Sequence, residues 1–76
     1  MNARAARLHA LKTAAAMLSL GEKPGALTDG MSEADAVRVS RAWDALCAEM
    51  VARVRRLAGP DWNPADSAGK PSPLDP

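Results

Sequence analysis

The sequence predicts an all-α chain: an antiparallel two-helix hairpin with the second helix longer, followed by an extended or disordered proline-rich tail. Three observations predict it. Apolar residues recur at helical spacing in two stretches. Glycine and proline separate and close those stretches, and five of the six prolines fall after residue 59. Hydrophobic content is 47% with only 3% aromatics and neither Phe nor Tyr. Alanine supplies much of that count, which favours helices in close approach and disfavours a sheet.

Helix 1 is expected over about residues 2–20. Asn2 suits an N-cap, and neither Gly nor Pro occurs before Gly21. Leu8, Leu11, Ala15 and Leu18 fall on one narrow stripe with the spacing of a packed seam. Ala10 and Ala14 flank it, and His9 and Thr13 point the opposite way, to solvent. The connection, residues 21–31, holds Gly21, Pro24, Gly25, Asp29 and Gly30, the residues of turns.

Helix 2 is expected over about residues 32–58. Ser32 begins it with a near capping box to Asp35, and Gly59-Pro60 stops it. Glu33 and Asp35 in its first turn, with Arg53, Arg55 and Arg56 in its last, suit the helix dipole. At 1.5 Å per residue it is roughly 39 Å long, against roughly 28 Å for helix 1. Val39, Leu46, Met50 and Leu57 centre its apolar face, and Trp43, Cys47, Val51, Val54 and Ala58 widen it to one side. The face spans about 160–180°, where a single neighbouring helix needs about 100°. In a hairpin centred on the loop, helix 1 begins beside Ala48–Met50, and apolar surface around Trp43, Cys47, Val51 and Val54 stays in water.

Residues 60–76 carry too little apolar surface to offset the entropy of ordering them. Trp62 is the exception: it either folds back on the end of helix 2 or anchors a short Pro-Asp-Trp-Asn-Pro motif. Pro71 to Pro76 reads as extended polyproline. Net charge is +1 overall; residues 1–59 carry +3 and residues 60–76 carry −2. That balance is too weak for a dedicated polyanion binder.

Catalytic chemistry finds no purchase in this sequence. His9 is the only histidine and Cys47 the only cysteine, so there is no intrachain disulfide, no zinc ligand set and no Cys/His pair on facing surfaces. Gly21, Gly25 and Gly30 do not form a phosphate loop. The expectation is a non-enzyme without cofactor or metal. No stretch of about 18 apolar residues predicts a membrane span. Lys12 interrupts any signal-like run after Arg4 and Arg7, so a cytoplasmic location is expected, which suits a lone thiol.

The expected function is a helical protein–protein interaction module: an assembly factor, an inhibitor or regulator, or a minor structural subunit of a larger complex. Its Ala/Arg-rich, bacterial-looking composition fits a phage or mobile-element accessory protein. A core this small needs help, and oligomerisation or a partner is the help that remains. Docking is expected through Val39, Trp43, Leu46, Cys47, Met50, Val51, Val54 and Trp62, onto a second copy as a four-helix bundle or onto a larger protein. The alternative is a nucleic-acid-associated protein. In it Arg4, Arg7, Arg53, Arg55 and Arg56, gathered at one end of the hairpin, contact phosphates. No aromatic residue interleaves with them for base stacking.

Overall fold

A computed structural model describes residues 1–68, and the described residues are all helix, turn and loop. The chain forms the predicted hairpin. Helix α1 spans Ala3–Leu20 and helix α2 spans Glu33–Ala58, with short 3-10 turns at Gly25–Leu27 and Pro64–Ser67.

Local chemistry sets each helix end. Asn2 Oδ1 accepts from the Ala5 N–H at 2.8 Å, satisfying one of the first-turn amides that have no helical partner. Gly21 closes α1 by donating its N–H to Met17 O at 2.9 Å. A Cβ there would sit 2.6 Å from that same oxygen, so the close approach requires glycine. Ser32 Oγ accepts from the Asp35 N–H at 3.2 Å. Glu33 and Asp35 sit in the first turn of α2, and Arg55 and Arg56 in its last, each matched to the dipole. Gly59 ends α2 at φ 126°, a region closed to residues with a Cβ.

The two helices meet in a register different from the expected one. Ala15 of α1 packs in one cluster with Val54 of α2. The Cys47 thiol donates to Leu18 O at 3.4 Å. Leu8 lines the same cleft as Leu57. The start of α1 therefore lies beside Arg53–Leu57 and not beside Ala48–Met50. The reason is the connection. It does not turn tightly but runs back along α2, where Lys23 Nζ pairs with Asp44 Oδ1 at 3.0 Å. Helix α1 thus covers the C-terminal half of α2 and leaves the first turns of α2 projecting beyond it.

The second correction concerns the tail. An extended segment is expected from residue 60, with folding back as one alternative for Trp62; residues 60–68 as a whole fold back onto the hairpin. The Trp62 N–H donates to Gly59 O at 3.3 Å, closing a turn that aims the indole between the helices. Trp62 is 9% exposed and packs with Ala15 and Val54, flanked by Leu11, Met50 and Val51. Its Nε1–H donates to Ser67 Oγ at 3.0 Å. Asp66 accepts from the Asn63 N–H at 3.0 Å and steadies the 3-10 turn.

That turn packs on α1, where Ala16, beside Ala68, is fully buried and Thr13, expected in solvent, is half-buried. Composition hid this fold because one tryptophan brings an apolar area of about 150–250 Å² into an otherwise polar segment. The polyproline reading of Pro71 to Pro76 lies outside the described residues. Among the described residues the buried apolar side chains are Ala15, Ala16, Val54 and Trp62, a small core even for a chain of this length.

Candidate protein-interaction surface

Helix α2 is organised in sevens. Ala36, Val39, Trp43, Leu46, Met50, Arg53 and Leu57 recur at alternating spacings of three and four, which places them on one seam along the helix. One step to one side of the seam lie Cys47 and Val54. One step to the other lie Asp35, Ala42, Glu49 and Arg56, every seventh residue.

The structure covers much of the first side and leaves the second open. On the closed side Val54 is 0% exposed, Cys47 faces the Leu18 carbonyl, and Val51 packs against the core. Trp62 fills the groove there. Of the eight residues expected to meet a partner, Val54 and Trp62 are therefore core, Val51 packs against that core, and Cys47, half-buried against α1, still lines the groove beside Leu46. The apolar excess predicted for α2 is real, but its uncovered part lies on the opposite edge from the one expected.

On the open side Leu18, Trp43, Leu46, Cys47, Met50 and Arg53 line a groove together with Glu49, Ala52 and Arg56. Arg53 continues it into a cleft formed by Arg4, Arg7, Leu8, Leu11 and Leu57. Leu46 is 57% exposed, Leu57 60% and Leu18 36%, while Val39, Trp43 and Met50 are half-buried. The sequence reading assigned no docking role to Leu18 and Leu57. The helical register brings them there, and register is a tertiary property that single-helix periodicity does not contain.

The arginines divide in the same way. Arg4, Arg7 and Arg53 share one cleft, and Arg56 stands beside Arg53. Arg55 is taken out of the cluster: its Nε donates to Trp62 O at 3.0 Å and its Nη2 to Asn63 Oδ1 at 3.2 Å. It ties the tail to α2 and does not face a phosphate. Neither of the two ion pairs among the described residues, Lys23–Asp44 and Arg38–Asp35 at 3.8 Å, uses these arginines. The groove is apolar along its floor and, with Glu49 as its one acid, cationic at one end.

Among the described residues no three His, Cys, Asp or Glu side chains lie together in a way that could hold a metal ion, and no helix is long and apolar enough to cross a membrane. Comparison with protein-family models, with curated proteins and with solved structures finds no match to this chain.

Proposed function

We propose that this protein is a non-enzymatic interaction module, an assembly factor, regulator or minor subunit, that docks through the open face of its hairpin. One observation carries the reading. The chain spends its tail covering one edge of α2 and leaves exposed leucines along the other, at Leu46 and Leu57. Fully burying a leucine side chain is worth about 1.5–3 kcal/mol, so a face with several of them favours a partner helix. Trp43 and the arginines at its rim are the residue types that dominate binding energy at such surfaces.

The test is a photo-reactive side chain placed at Leu46 and, separately, at Arg41, which lies on the far side of α2. Irradiation of cells making the full-length chain should yield a discrete protein adduct from position 46 and none from position 41. Equal or absent adducts at both positions contradict the reading. An adduct of position 46 with nucleic acid decides instead for the phosphate-binding alternative, which retains Arg4, Arg7, Arg53 and Arg56.

A further inference from the structure

The open face has a shape and a charge order that select its occupant. Helix α1 lies along the C-terminal half of α2, so the N-terminal half lacks a helical neighbour. Every seventh residue along this edge of α2 is Asp35, Ala42, Glu49 and Arg56; Arg56 and Glu49 line the groove, and Asp35, at the other end, makes an exposed pair with Arg38 at 3.8 Å. We propose that the face is occupied by a second copy of this chain, packed antiparallel, with Trp43 of each copy against Leu46 of the other. This rests on the interaction reading above and names its partner.

The geometry follows from the seven-residue repeat. In an antiparallel pair, equivalent edges of the two helices face each other. With Trp43 opposite Leu46, Val39 meets Met50 of the other copy. Arg53, a costly residue on an apolar seam, falls opposite the small Ala36, next to Asp35. At the rim Asp35 of each copy meets Arg56 of the other, and the long Glu49 meets Ala42. The α1 helix of each copy then runs beside the first turns of the other's α2, the stretch its own α1 leaves bare. Two incomplete hairpins become one four-helix assembly, the α1 helices lying end to end along the α2 pair.

Neighbouring registers are disfavoured by charge. Sliding by seven residues one way sets Asp35 against Glu49 twice. Sliding the other way sets Glu49 against Glu49. A parallel pair gathers Arg4, Arg7, Arg53 and Arg56 of both copies at one end. Like charges juxtaposed across an interface suppress such arrangements, so the rim picks a single pairing.

Sedimentation velocity of the full chain at micromolar concentration and low ionic strength tests this. Asp35 and Arg56 lie roughly 30 Å apart along α2 at 1.5 Å per residue, so they cannot meet within one chain. Asp35→Arg alone and Arg56→Asp alone should each keep their helix content yet weaken the dimer about tenfold or more. Mixing the two variants in equal amounts should restore it, because both pairs between positions 35 and 56 are then oppositely charged again. A dimer that the mixture fails to restore overturns the pairing. A wild-type chain that stays monomeric, while Leu46 still captures a different protein in cells, overturns the second copy as occupant and leaves the interaction reading standing. Monomer with no adduct overturns both.

Discussion

Trp62 is held at three points by different chemistry. Its ring packs on Ala15 and Val54, its Nε1–H reaches Ser67 Oγ, and its carbonyl accepts from Arg55. The three contacts differ in strength, which makes them separable. Truncating a buried aromatic costs about 3–5 kcal/mol, a large share of what so small a core supplies. Losing the partner of a buried N–H costs about 1–3 kcal/mol. Trp62→Ala should therefore abolish the cooperative thermal transition followed by circular dichroism. Ser67→Ala should only lower its midpoint. Trp62→Phe should cost more than Ser67→Ala, because it also shrinks a core side chain, and adding Ser67→Ala to Trp62→Phe should cost little more, since both remove the same bond. Strict additivity would show that the indole and Ser67 act independently.

At the scale of elements, both helices were legible in the sequence because their ends are written locally. Asn2 and Ser32 accept the N-cap bonds expected of them, and Gly21 and Gly59 end their helices where expected. The path of the connection, the register of α1 on α2 and the fold of residues 60–68 were not legible. Each depends on contacts distant in sequence: Lys23 to Asp44, Leu18 to Cys47, and Trp62 to Ala15.

For the same reason the width of the apolar face of α2 was read correctly and its uncovered edge was not. Periodicity gives the width; only packing shows which edge is covered. Arg55 was grouped with the other arginines because charge was visible and its partner, a main-chain carbonyl, was not. The folded tail thus behaves as a third layer on α1. A chain ended at Gly59 loses Trp62 and uncovers Ala16. It should lose most of its helical signal at temperatures where the full chain keeps it. An equally stable truncated hairpin would show that residues 60–68 decorate the fold without supporting it.

The whole molecule is elongated, 44 × 30 × 22 Å, and two-sided. One side is sealed by its own C-terminal segment. The other is an apolar groove with an arginine-rich end and an acidic start to α2. The proposed pairing accounts for so small a core: in it another chain supplies the rest of the burial, and stability then depends on protein concentration. The most direct test of that claim is the absolute mass in solution, by light scattering, of the full chain and of Leu46→Asp. Leu46 is exposed within the chain, so the variant should keep its helices. The wild type should have twice the chain mass of 8.0 kDa at micromolar concentration, and Leu46→Asp the mass of a single chain. A wild-type chain that is monomeric there and melts cooperatively at a temperature independent of concentration would contradict it.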